Sequence, residues 1–482
     1  MFEPQDTARV FTVGLGVDFP KSLVAGFRNR THGSAPDSIA KVQLIVNTSR
    51  MRRRVMSLFA DGTAQLLPRI TLLGDLGSDP KFHDIAQAVS PLSRRIKLIS
   101  LIDALLHQNP SLASRSSLFD LADSLAGLMD EMQGEGVTLA DIEALEIAEF
   151  SGHWARAKKF IGIVGGFLDQ SKERPDTEAR ARAVVLAQIA DWQINPPEHP
   201  VILAGSTGSR GTTALLMKAV ARLPLGAVIL PGFDDEMPIE VWDELSKTHD
   251  MRLSPEDHPQ YRFAKLLSEL DLCPKRLPSW DHAISASSAR NKVVSLALRP
   301  VPVTDSWLSE GPKLDDLPTA MQGVTLLEPQ TAREEALAIA MRLRLAAEEG
   351  KTAALITPDR MLTRQVSAAL DRWNIKPDDS AGMPLQLSPP GRFLRHVLEL
   401  FTKPLDAEAL LTLLKHPLTH SGEDRGAHLL LTRELELSIR KDGPAFPDAR
   451  SLSKWASQTK LDGAAEWAEW IAQTFCGHAR VS

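Results

Sequence analysis

Cysteine is nearly absent: only Cys273 and Cys476 occur in 482 residues. Two thiols so far apart cannot build a disulfide framework, nor a four-cysteine zinc or iron–sulfur site from this chain alone. Their scarcity fits a reducing cytoplasm. Long apolar runs are missing too, since no stretch of about 18 apolar residues occurs and no opening segment joins a basic head to such a run. The expectation is a soluble, cytoplasmic chain that is not exported and has no membrane partner. An excess of positive charge is also lacking. The formal charge is −6, so there is no global nucleic-acid footprint, and any DNA contact has to come from local basic clusters. What is present is ordinary globular composition, 24% charged and 43% hydrophobic, at a length that suggests about three domains.

The clearest repeat of secondary-structure signals lies in 324–385. The apolar run VTLLE (324–328) predicts a strand. Ala336, Ile339, Ala340 and Leu343 then recur at helical spacing, with Gly350 as the stop, and AALIT (353–357) predicts a second strand. After Pro358-Asp359, Leu362, Val366, Leu370 and Trp373 share one face of a further helix. Strand, crossover helix and strand predict a parallel sheet, whose ligands sit off the carboxyl ends of the strands. That edge carries Glu328, Thr357, Pro358, Asp359 and Arg360.

Two stretches stand where a phosphate-binding loop would. In VFTVGLGVDFPKSLVAGF (10–27), placing Lys21-Ser22 as the Lys-Ser of G-x-x-x-x-G-K-S puts Leu15 and Pro20 where glycines are required. Proline has no amide hydrogen to offer a phosphate. The favoured reading is a first sheet strand with a shortened turn. In VILAGSTGSRGTTALLMKAV (201–220), Gly205, Ser206, Thr207, Gly208 and Ser209 follow a buried strand. The span from Gly205 to Gly211 is one residue longer than the pattern, and Thr212 stands where lysine should follow. Nor does VILAG end in the acid that a magnesium-binding NTPase uses. Asp234, Asp235 and Glu236 come after GAVILPGF, with Pro231-Gly232 intervening; as loop acids they carry a metal or base role less readily than a solvated one.

The densest basic cluster follows the apolar run KVQLIV. Asn47-Thr48 leads into a helix with Arg50, Arg52, Arg53 and Arg54. A hydroxyl and several guanidiniums at a helix start suit phosphate-backbone contact; a solvated basic face fits the same residues. From 81 to 192 strand signals vanish. Leu118, Leu121, Leu125, Leu128, Met129 and Met132 form a helical stripe that reads as core, further helical signals fall at 154–167 and 178–192, and His153 reads as a surface residue. The expected organisation is a first sheet in 1–80 and 195–275 with a helical insertion at 81–194. A connector at 276–322 leads to a second sheet at 323–400, and a further helical block at 401–482 is cut short. His416 and His420 have a metal-like spacing, but Pro417 breaks the helix needed to aim them together. Trp455, Trp467 and Trp470 read as packing.

Two α/β sheets with helical inserts resemble the layout of superfamily-one helicases, which pair two RecA-like domains. PVILAGSTGS, GAVILPGFD, ALITPDRML with DDSAGMPL, and LLKHPL more closely resemble the N-terminal, helicase-like half of the AddB family in its alphaproteobacterial form. The resemblance runs over essentially the whole chain. It implies a subunit of the AddAB helicase–exonuclease of double-strand-break repair and homologous recombination. An AddA-like partner supplies the ATP-driven motor there, and the AddB half handles the separated single strand and scans it for Chi. It implies DNA contact by Thr48, Arg50, Arg52, Arg53 and Arg54, and by Thr357, Asp359 and Arg360. It also implies a degenerate nucleotide site around Lys21, Ser22, Gly205, Ser206, Thr207 and Gly208. Magnesium, ATP on the partner and a 4Fe–4S cluster belong to the full-length family; no catalytic residue and no metal ligand of this chain is implied. An active NTPase using the 205–213 loop, and a scaffold docking AddA without touching DNA, are the competing expectations.

Overall fold

Two compact units divide the chain, Met1–Val324 and Thr325–Ser482. The computed structural model describes residues 1–61, 65–108, 110, 113–144, 174–247, 255–314, 316–422 and 424–477. His153 and the helix expected at 154–167 lie outside the described residues.

The first unit is built on β1 (Val10–Gly14), β2 (Gln43–Val46), β3 (Arg69–Leu72), β4 (Val201–Ala204) and β5 (Gly226–Phe233). They form one parallel sheet in the order β1-β5-β4-β2-β3. Side chains on a strand alternate between faces, and here both faces are buried. Leu44, Val46, Ile202, Ala204, Ala227 and Ile229 pack on one side with helices α1 (Phe19–Thr31) and α2 (Ser49–Ala60). Ile45, Val201, Leu203, Val228 and Leu230 pack on the other. That second face is covered by α5 (Thr177–Ile194), α6 (Gly211–Arg222), α7 (Ile239–Ser246) and α8 (Tyr261–Glu269). Burial on both faces is why these strands read as unbroken apolar runs.

The order of the strands explains which helix lies where. The chain steps from β1 to β2 to β3 toward one edge, then back through β4 to β5. With right-handed crossovers, reversal of direction moves the connecting helix to the opposite face. The reversal falls between β2 and β4, neighbours whose following helices leave on opposite sides of the sheet.

Between β3 and β4 the expected helical insertion forms α3 (Pro91–Gln108), α4 (Leu118–Glu135) and α5. Leu98, Ile102, Leu105 and Leu106 of α3 meet Ala122, Leu125 and Met129 of α4 in a core of their own. The leucine–methionine stripe is therefore packing, as its spacing suggested.

The segment expected to be a connector belongs to the first unit. Thr12 N–H donates to Pro278 O (3.1 Å) and Trp280 N–H to Thr12 O (2.9 Å), so 278–280 closes the β1 edge of the sheet. Trp280 is 1% exposed and enters the core beneath α1. Helix α9 (Ser288–Ala297) follows.

The second unit departs from expectation. Helices α10 (Ala332–Glu348) and α11 (Arg360–Asp371) form and pack through Ala336, Ala340, Val366 and Leu370. The strands expected at 324–328 and 353–357 do not, and no strand occurs among the described residues of this unit. Leu326 is 81% and Ile356 93% exposed. Apolar β-branched composition supplies only a propensity; a parallel strand needs a ladder and cover on both faces, and these two segments have neither. The rest of the unit is helical: α12 (Pro389–Thr402), α13 (Ala407–Lys415), α14 (Arg425–Asp442), α15 (Ala449–Gln458) and α16 (Ala464–Phe475). Their core includes Leu410, Leu414, Leu431, Trp455, Trp467 and Ile471, with Trp470 packed against it.

Candidate nucleic-acid interface at the sheet edge

The carboxyl ends of β2 and β4 are the point where an open α/β sheet offers a crevice for a ligand. The β2 end carries Asn47 and Thr48, and the β4 end carries Gly205 and Ser206. The two loops, unrelated in sequence, are thus brought together, and Asn47 Nδ2 donates to Gly205 O across the crevice at 2.8 Å. Thr48 caps α2, its Oγ1 accepting from Met51 N–H at 3.1 Å. The cap uses the hydroxyl oxygen as an acceptor and not its O–H, so exposed Thr48 is presented together with the arginines.

Val55 and Phe59 anchor α2 in the core, which fixes the helix face. Arg50, Arg53 and Arg54 are exposed, and Arg52 lies 3.7 Å from Asp75 Oδ2. Arg53 and Arg54 have no ion-pair partner among the described residues. A run of guanidiniums on the first turns of a helix, beside the crevice, is a geometry that suits a phosphate backbone.

At both expected nucleotide loops, groups that a phosphate would use are engaged within the protein. At the first, Pro20 lies in the first turn of α1 and Asp18 caps the helix, accepting from Lys21 N–H at 3.2 Å. Lys21 Nζ pairs with Asp18 at 3.5 Å, and Ser22 is 2% exposed. Asn291 of α9 donates from Nδ2 to Leu15 O at 2.9 Å, and its Oδ1 would be 3.2 Å from a methyl at Gly16. The turn is filled by the protein's own amide.

At the second loop, Gly205 and Gly208 have positive φ of 79° and 67°, the left-handed region where glycine is favoured. A phosphate loop grips through successive backbone amides, and the three glycine amides here already have acceptors. Gly205 N–H donates to Ile229 O (3.3 Å), Gly208 N–H to Ser206 Oγ (3.3 Å), and Gly211 N–H to Glu135 Oε1 (2.9 Å). Ser206 is buried, whereas Thr207 is exposed. The first loop, with Pro20 and a capped helix start, does not fit a bound phosphate, and the second has its three glycine amides engaged.

The acids after β5 stand differently from their sequence reading. β5 continues through Pro231 and Gly232 to Phe233, so Asp234 and Asp235 sit directly at a strand end. Asp234 is 4% exposed, and its Oδ1 accepts from Glu236 N–H and Met237 N–H, both at 3.1 Å. Its carboxylate is occupied in holding that turn. Asp235 Oδ2 would be 3.0 Å from a methyl at Gly14. No group of His, Cys, Asp and Glu among the described residues is placed to hold a metal ion.

In the second unit the expected contacts are mostly spent on local structure. Asp359 caps α11 by accepting from Met361 N–H at 2.7 Å, and Thr357 Oγ1 accepts from Asp359 N–H at 3.0 Å. Arg360 pairs with Asp379 at 3.2 Å. His416 and His420 follow α13 rather than lying on it; the His420 ring stacks on His428 at 4.9 Å. No helix among the described residues is long and apolar enough to cross a membrane.

Sequence reasoning missed Glu135 and Asn291. Each acts on a loop that is distant in the chain, and nothing local to either residue signals it. No family model matches this chain, and no curated protein matches it.

Proposed function

We propose that the chain is the helicase-like half of an AddB-type subunit. It holds a separated DNA strand against the β2–β4 edge while an AddA-like partner supplies the motor, and it does not turn over nucleotide itself. In this reading the five-stranded parallel sheet of the first unit stands for a RecA-like domain of a superfamily-one helicase. The observation that carries it is the coincidence, at one sheet edge, of an arginine-bearing helix with a loop whose three glycine amides are engaged within the protein. The edge that would serve nucleotide in an active motor keeps its cationic helix and has lost its phosphate seat.

Phosphate contacts made by Arg52, Arg53 and Arg54 would supply sequence-independent, salt-sensitive affinity. Reversing all three to Glu, in the chain assembled with a partner whose motor is dead, should weaken single-stranded DNA binding at least tenfold at low salt. The slope of log K against log[salt] should become shallower by about 2, on roughly 0.7 per phosphate contact for single strands. Fluorescence anisotropy at several salt concentrations measures both. Unchanged affinity and slope would leave the cluster as a solvated face and put the protein-scaffold reading first. Nucleotide binding by the wild-type chain that disappears on changing Gly208 and Gly211 would overturn the motor-inactive part.

A further inference from the structure

The far half of α2 is anchored from two directions. Val55 and Phe59 are fully buried, and Arg28 Nη2 reaches across from α1 to Leu58 O (3.1 Å) and Asp61 O (3.2 Å). Arg50, Arg52, Arg53 and Arg54 all precede these anchors, on the turns nearest the crevice. The attachment of the helix start therefore decides where the guanidiniums stand. Thr48 caps over three residues, to Met51 N–H; such a cap satisfies an amide of the first turn without tying that turn to anything outside it. The Arg52–Asp75 pair, at 3.7 Å and exposed, holds little.

Asn47 supplies an outside attachment. It directly follows β2, precedes the cap and is exposed. Its Nδ2 donates to Gly205 O at 2.8 Å, so the bond joins the entry of α2 to the loop after the neighbouring strand. The acceptor is itself held in place. Gly205 N–H donates to Ile229 O at 3.3 Å, and a methyl on Gly205 would lie 3.1 Å from Phe19 Cε1 and 3.7 Å from Met51 Cε. Gly205 is thus bonded to β5 on one side and to the end of β2 on the other, and Asn47 is tied to a point that the sheet fixes.

We propose that Asn47 is a positioning residue for the strand-binding edge: by tying the entry of α2 to Gly205 O it holds Arg52, Arg53 and Arg54 beside the crevice, without touching the nucleic acid itself. This rests on the DNA reading and adds to it the residue through which the β4 loop sets the cationic helix. Where the competent arrangement is only partly populated, apparent affinity falls by that fraction while the contacts made in the bound state stay the same. Loss of the tie should therefore act alike at every salt concentration, and only through the arginines.

The test is a double-mutant cycle in the chain assembled with a motor-dead partner, read by fluorescence anisotropy of a single-stranded oligothymidylate at several salt concentrations. Asn47→Ala should weaken binding about twofold to tenfold, the range that one net hydrogen bond spans, with the slope of log K against log[salt] unchanged. Asn47→Leu, close in size but without a donor, should do the same, and Asn47→Gln, which keeps the amide, should recover part of the loss. Added to Arg52→Glu, Arg53→Glu and Arg54→Glu together, Asn47→Ala should weaken binding no further, the non-additivity of residues that act as one unit. An unchanged affinity would overturn the proposal. So would a loss that persists in full on the arginine-reversed background, which would make Asn47 a DNA contact in its own right, or a loss accompanied by a large fall in the urea midpoint, which would make it a folding residue. Arginine reversal that itself has no effect would be a separate failure, removing the DNA reading and this inference with it.

Discussion

Trp280→Ala is expected to destabilise the first unit by about 3–5 kcal/mol, the usual cost of emptying a buried aromatic site. The indole lies between α1 and β1: its Nε1 donates to Leu23 O at 3.0 Å, and its ring meets Phe27 and Phe11 edge-on at 5.5 and 5.2 Å between centroids. The Arg30 guanidinium lies over the same ring at 3.8 Å, a cation–π contact worth about 0.5–2 kcal/mol depending on its desolvation. The substitution thus removes apolar burial and the indole N–H that Leu23 O accepts. Gly26→Ala attacks the same contact from the helix side, because a methyl there would drive into the Trp280 ring. Urea unfolding followed by far-UV circular dichroism should show both variants shifted to lower midpoints. A midpoint unchanged by Trp280→Ala would mean that 278–280 is a removable strap and not part of the core.

The second large effect concerns acid. His428 is 1% exposed within the helical core of the second unit. Its Nε2 lies 2.7 Å from Leu414 O, and its Nδ1 accepts from Trp467 Nε1–H at 3.0 Å. The partners fix the tautomer: hydrogen on Nε2, lone pair on Nδ1. A second proton would have to enter at Nδ1, facing the Trp467 N–H. Burial pushes the His428 pKa down, and the charges of neighbouring His420 and Arg425 push the same way, against the Leu414 carbonyl. The unfolded chain, near 6.5, therefore takes up this proton before the folded one does. The contribution to stability is complete above about pH 6.5 and is lost as the pH falls from there through the lowered folded-state value.

Unfolding midpoints of the wild type should accordingly decline between pH 7 and pH 5. His428→Gln, which does not titrate, should show a flatter profile. His428→Ala at neutral pH leaves both Leu414 O and Trp467 Nε1 unpaired in the core, at about 1–3 kcal/mol each. It should lower stability at every pH. A wild-type profile with the same slope as His428→Gln would remove this histidine as the source of acid sensitivity.

These two sites show where sequence reasoning reaches and where it stops. The stretch 201–233 was legible because both strands are buried on each face and so appear as continuous apolar runs around one amphipathic helix. The caps are local as well, since Asp18, Thr48 and Asp359 act within three residues of themselves, but the sequence reading took Thr48 and Asp359 for DNA contacts and passed over Asp18. The failure of 15–22 as a phosphate loop was also local, since it rests on Pro20. By contrast, 324–328 and 353–357 carry the composition of strands yet find no ladder, because composition describes a preference and pairing requires a neighbour. Trp280 looked like part of a linker, since proline- and serine-rich surroundings say nothing about which distant edge a segment will close.

The chain alone therefore determined its helices and their ends, the apolar runs of the first sheet, the arginine cluster and the defects in both glycine-containing loops. All of these act over a few residues, the reach of a helical turn or a strand pleat. Tertiary structure alone decided that the loops after β2 and β4 share one crevice, that Asn291 bonds to Leu15 O and Glu135 to Gly211 N–H, and that Trp280 and His428 are core groups. Such contacts join residues tens to hundreds of positions apart. Their energy comes from burial and from helix ends that find partners only after the sheet has brought them together.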